Sequence, residues 1–215
     1  MSGVAEKNKM RVLIGQMFGG AIVGAIAVSA FIAFVGKPHM DLKDPAIMVT
    51  IVAGVSYVLI GLIVAAGLAS PKAGAHFLNV EDAEEIREES PKLIPAAVVF
   101  VLTGIFLLLL ATYRTGAAPM GRGMVLTAAA VCFGGVVIAG WISSKRIDEL
   151  TRQLGLETAA VTFQVTMLFL CIWGTLAHLD YVAWLSPLAL LSSVALLQLL
   201  ASFVIIARKG MLMPR

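Results

Sequence analysis

The sequence has 215 residues, 60% of them apolar and 13% charged, with a formal net charge of +3 and a mean hydropathy of +0.95. Soluble domains run near half apolar and a quarter charged, so this composition excludes an ordinary water-soluble enzyme or nucleic-acid binder. A membrane-spanning helix takes roughly 20 apolar residues, so the length holds at most about seven spans with short loops and no sizeable domain outside the bilayer.

Six runs free of Asp, Glu, Lys and Arg follow one another at 12–35, 46–69, 93–113, 124–142, 158–179 and 187–207. They predict an all-α bundle of six transmembrane helices, a single polytopic domain over 1–215. The first run is longer than the apolar core of a signal peptide and lacks a small-x-small cleavage site, so it is expected to be retained. It carries Gly15-x-x-x-Gly19 and Gly20-x-x-x-Gly24. Rows of this kind let helix backbones approach, which makes Gly15, Gly19, Gly20 and Gly24 candidate helix-packing residues, within the chain, in a homo-oligomer or in a larger membrane complex. Later spans open on capping pairs, Asp44-Pro45, Ser90-Pro91 and Ser186-Pro187, which suit the Ncap and N1 positions of a helix.

Lys and Arg gather at the amino terminus, in the second and fourth connections and at the carboxyl end, with three in each place and four elsewhere. The positive-inside rule then predicts cytoplasmic termini. Trp141 falls at an inner span end, and Tyr113, Trp173, Tyr181 and Trp184 at or near outer ends, where aromatic rings settle at headgroup level.

Residues 73–91 form an acidic amphipathic cytoplasmic connection. A helix is expected from Asn79 to Glu89, with Phe77, Val80, Ala83 and Ile86 as its apolar stripe and Ser90-Pro91 as its end. Glu81, Asp82, Glu84, Glu85, Glu88 and Glu89 stand against Arg87 alone. Such a face is either simply solvated beside the membrane or a docking patch for a basic partner; it lacks the spacing of a calcium loop.

Residues 143–157 form a second cytoplasmic connection, expected to continue the fourth span inward as a helix. Lys145/Glu149 and Asp148/Arg152 are i,i+4 pairs, Ile147, Leu150 and Leu154 make a stripe, and Gly155 is a break before the fifth span. The stretch Asp148-Glu149-Leu150-Thr151-Arg152 with Leu156-Glu157-Thr158-Ala159 resembles the D-E-x-x-R…L-E-A-x-A pattern at the head of a span in small bacterial integral membrane proteins of uncharacterised function. Thr158 replaces an alanine of that pattern. The resemblance implies a bacterial inner-membrane protein and supplies no catalytic residues.

The second and fourth spans end in A-G-x-x-S-x-K (Ala66 to Lys72, Ala139 to Lys145), and the third and fifth begin with A-A-V-x-F-x-x-T (Ala96 to Thr103, Ala159 to Thr166). These matches suggest a duplicated two-helix hairpin, spans 2–3 and spans 4–5, about an axis along the membrane normal.

Ionisable groups at membrane depth mark ion paths and relays. None of the six runs holds one except His178 at an outer end. The neutral polar residues Gln16, Tyr57, Thr103, Gln164, Thr166 and Gln198 are expected to form interhelical hydrogen bonds. Cys132 and Cys171 are expected as small buried hydrophobes. His39 and His178 share the outer side and His76 falls inside, so no histidine pair is expected within the membrane for haem, and no cofactor is expected. His39, His178 and Asp180, with Asp41, could at most meet at the outer surface as zinc ligands. No nucleophile motif or phosphate loop is present. The sequence therefore points to a non-enzymatic accessory or scaffold subunit acting through helix packing and the acidic helix, with a channel or carrier for a neutral or lipidic solute as the alternative.

Overall fold

The computed structural model describes residues 2–36, 44–72, 74, 83–116 and 120–209. The described residues form helices α1 (Ser2–Phe31), extended by a π-helical turn at Ile32–Gly36, α2 (Pro45–Ala69), α3 (Ala83–Arg114), α4 (Arg122–Ser144), α5 (Glu149–His178) and α6 (Pro187–Arg208). All six are long and apolar enough to cross a bilayer, which supports an integral, multi-pass membrane protein.

Local chemistry sets the helix starts. Asp44 accepts from the Ala46 amide at 2.9 Å ahead of Pro45, and Ser186 accepts from the Ala189 amide at 3.2 Å ahead of Pro187. The third expected cap behaves differently: Ser90-Pro91 lies inside α3, which runs unbroken from the acidic segment into the span and contains both Pro91 and Pro95. Ser90 turns its hydroxyl back to the Ile86 carbonyl at 2.7 Å. Pro95 has no N–H to offer the Pro91 carbonyl, and that oxygen accepts instead from the Arg146 guanidinium at 3.5 Å.

The connection over 143–157 also departs from expectation. α4 stops at Ser144, and the helix that follows belongs to α5, which passes through Gly155 without a break. Asp148 caps α5 by accepting from the Thr151 amide at 3.0 Å. This role takes it away from Arg152, which pairs with Glu149 at 3.4 Å, while Lys145 lies 5.2 Å from the Trp141 ring centroid.

The tightest packing joins α2 and α3, which run antiparallel. Ile47 meets Ala111, Gly54 meets Gly104 and Gly61 meets Ala97, three levels each seven residues apart along both helices. A Cβ on Gly104 would lie 2.6 Å from the Gly54 carbonyl oxygen, and one on Gly61 would lie 2.9 Å from the Val101 nitrogen and 3.0 Å from the Ala97 oxygen. Only glycine lets the backbones come this close.

The remaining helices attach to that pair. α4 packs on α3, where the missing Gly135 side chain admits Leu102, and α6 packs on α2. α5 packs on α6 through Thr158, Thr162 and Thr166, its buried residues. α1 reaches the core with Ala27, Val28, Phe31 and Ile32 against the cluster around Ile47, Ile51 and Val55. α4 and α5 are joined by a short turn yet scarcely touch, so they diverge from it.

The matched motifs therefore sit in unlike surroundings. Gly67 is buried against Gly74, whereas a Cβ on Gly140 would meet open space; Phe100 packs on Tyr57, whereas Phe163 is 63% exposed.

Candidate functional site

Where α4 diverges from α5, a lateral groove of about 500 Å³ is lined by residues of α2, α3, α4 and α6. Its surface is overwhelmingly apolar, with Phe100, Phe106 and Phe133 among the lining residues. Four polar side chains join them: Tyr57 from α2, Thr103 from α3, and Gln198 and Ser202 from α6, the Ser202 hydroxyl being spent on the Gln198 main-chain carbonyl at 2.8 Å. The Tyr57 hydroxyl donates to the Ala195 carbonyl at 2.9 Å and ties α2 to α6, and its ring lies 5.6 Å from that of Phe100.

Of the neutral polar residues expected to bond between helices, Tyr57 does so. Thr103, Gln164 and Gln198 have no side-chain hydrogen bond to another described residue. Thr166 is buried with its hydroxyl unpartnered among the described residues. The side chain of Gln16 lies outside the described residues. A second groove, of about 440 Å³, runs between α3 and the carboxyl-terminal half of α4 and is apolar except for Arg146.

The first-helix glycines occupy a different setting. Gly15, Gly19 and Gly20 are exposed and Gly24 is half-buried, and a Cβ added to any of them would meet nothing within 4 Å. Whatever contact they serve is not made among the described residues. The glycines that do bring helices together, Gly54, Gly61 and Gly104, went unread in the sequence, although a seven-residue spacing of Gly54 with Gly61, matched by Ala97, Gly104 and Ala111, was available as a signal.

At the start of α3, Glu84 and Glu88 are exposed and Glu85 and Glu89 half-buried, while Glu81 and Asp82 lie outside the described residues. Glu89 pairs with Lys92 at 2.8 Å, and Lys92 reaches Asp148 of the α4–α5 turn at 3.9 Å. The Glu89 hydrogen bond holds the Lys92 ammonium above its usual value, helped by the charges of Glu89 and Asp148. Hydrogen bonds from Thr151 hold the Asp148 carboxyl below the usual carboxylate value, with Lys92 adding to the effect. Glu157 and Lys209 pair at 3.0 Å and link α5 to the carboxyl end of α6.

At the other end, Asp180 adopts a left-handed φ of 61° in the turn that closes α5, and Trp173 donates to the Ala183 carbonyl at 3.1 Å. His178 ends α5, and His39, His76 and Asp41 lie outside the described residues. No cluster of three His, Cys, Asp or Glu side chains forms among the described residues. Cys132 is buried as expected, but Cys171 is exposed, because α5 turns only its threonine stripe inward.

No family model, curated protein or solved structure matches this chain.

Proposed function

We propose that this protein is a non-enzymatic scaffold or accessory subunit of the bacterial inner membrane, with both termini in the cytoplasm, that assembles through α1 and through the acidic start of α3. The observation that carries this reading is the contrast between two sets of glycines. Gly54, Gly61 and Gly104 sit where backbones touch, whereas a Cβ on Gly15, Gly19, Gly20 or Gly24 would meet nothing within 4 Å. In lipid, close van der Waals contact drives helix association, so a flat glycine face at the edge of the molecule fits a second copy or another membrane protein's span. Glu84, Glu85, Glu88 and Glu89, with Glu81 and Asp82 preceding them in sequence, would add a site for a basic cytoplasmic segment of that partner.

Native mass measurement of the full chain, extracted gently from its membrane, tests this. A discrete assembly is expected, reduced to the single chain by Gly20→Leu with Gly24→Leu and stripped of any basic partner by charge reversal at Glu84, Glu85, Glu88 and Glu89. A wild-type protein that runs only as a single chain with bound detergent would overturn the reading.

A second reading, a carrier or channel for a neutral or lipidic solute organised about a duplicated hairpin, draws support from the lateral groove. Its apolar lining suits a lipid-soluble molecule and offers no path for an ion. Flux of such a solute in liposomes holding the protein alone would favour it.

A further inference from the structure

Tyr57 is the central residue of α2, which runs Pro45–Ala69, and Phe133 is the central residue of α4, which runs Arg122–Ser144. Thr103 is the centre of the apolar run 93–113 within α3, and Gln198 sits at the middle of α6, Pro187–Arg208. Four helices thus bring their midpoints to one groove, and each helix rises about 1.5 Å per residue, so these side chains lie about 15 Å from either end of their spans. That depth is the middle of the hydrocarbon layer.

Polar groups at this depth are costly unless paired. Tyr57 has spent its proton on the Ala195 carbonyl, but the Thr103 hydroxyl and the Gln198 amide have no partner among the described residues. Both are donors available to the groove that they line. An apolar groove of several hundred Å³ with a few convergent polar groups is the usual form of a small-molecule site.

We propose that the groove binds a neutral, lipid-soluble molecule with a flat carbonyl-bearing ring and an apolar tail, of the prenylated quinone class, whose carbonyl oxygen accepts from Gln198 and Thr103 at the bilayer midplane. Four features select this chemistry. No charged residue lines the groove, so the ligand is neutral. The unpaired Thr103 hydroxyl and Gln198 amide can each donate, so a single ligand carbonyl can be met by both. Tyr57, Phe100, Phe106 and Phe133 present flat aromatic surface, which suits a ring. The donors lie at mid-depth, where glycerophospholipids and fatty acids have no polar group to offer because theirs stay at the interface. The inference concerns binding alone and holds whether or not the chain is a scaffold.

The full chain in lipid nanodiscs is titrated with a decyl-substituted benzoquinone, bound ligand being read by retention and by thermal stabilisation; decylbenzene, which keeps ring and tail but lacks carbonyls, is the control. Saturable binding is expected for the quinone and none for the control. Gln198→Leu and Thr103→Val should each weaken binding by about five- to tenfold, as loss of one hydrogen bond implies. Unliganded melting temperature and helix content show that each variant folds, and the two substitutions are independent routes to the same result. Equal binding of decylbenzene, quinone uptake that does not saturate, or unchanged affinity in both folded variants would overturn the proposal. So would cross-linking from position 198 to the span of another protein seated in the groove.

Discussion

The Gly54 carbonyl oxygen lies 2.6 Å from where a Gly104 Cβ would stand, so α2 and α3 meet backbone against backbone at their closest level. Val58 closes the same spot from the side, with its Cγ2 at 2.6 Å and its nitrogen at 2.7 Å from that position. Gly104→Leu cannot be absorbed by a flexible side chain moving aside, because two of the three obstructing atoms are main-chain atoms. The substitution is expected to destabilise the fold by about 3 kcal/mol, read as a lowered melting temperature in detergent.

Gly20→Leu is the matched contrast. Its added side chain meets open space, so the melting temperature of the isolated chain should move by no more than about 0.5 kcal/mol in equivalent stability. A large loss would mean that the α1 surface is packed within the chain after all.

Tyr57→Phe removes the hydroxyl that ties α2 to the Ala195 carbonyl and leaves the ring on Phe100 in place. The expected cost is about 1 kcal/mol, the range found for hydrogen bonds between membrane helices, measured as a shift in thermal or denaturant midpoint. Helix content should be unchanged.

Asp148 and Lys92 make the α4–α5 turn sensitive to pH in opposite directions. The Asp148 carboxyl sits below its ordinary 3.8, so its contribution is present above that value and is lost as pH falls through the lowered pKa. The Lys92 ammonium sits above its ordinary 10.5, so its contribution is present below that value and is lost as pH rises through the raised pKa. Amide exchange across 145–152 should therefore quicken relative to its intrinsic rate in strong acid, and Asp148→Asn should abolish the acid-dependent part. Both groups are exposed, so the midpoint of global unfolding should barely move.

The six helices could be read from sequence because a charge-free apolar run of bilayer length has one common explanation. Their ends were harder. Ser90-Pro91 carries every sign of a helix start, yet α3 runs through it because Ser90 bonds back to Ile86 and Arg146 takes up the Pro91 carbonyl that Pro95 leaves open. Which faces meet was least accessible, since lipid-facing and protein-facing residues are equally apolar and leave no amphipathic stripe. Phe163 and Phe100 occupy matching motif positions, and nothing in the motif tells that one is covered and the other is not. The groove was hidden for a related reason: Tyr57, Thr103 and Gln198 are far apart in sequence and share only their depth.

The order in which the chain is made gives the α2–α3 contact a further meaning. These two helices are neighbours in sequence and interlock over three successive levels, so they can pair as soon as the second of them leaves the ribosome. The bond from Tyr57 to Ala195 must wait until another 138 residues have been added. α6 is made after the other described helices, and it supplies one wall of the groove. During synthesis the groove therefore stays open on that side, and it becomes a defined cavity only when α6 packs against α2.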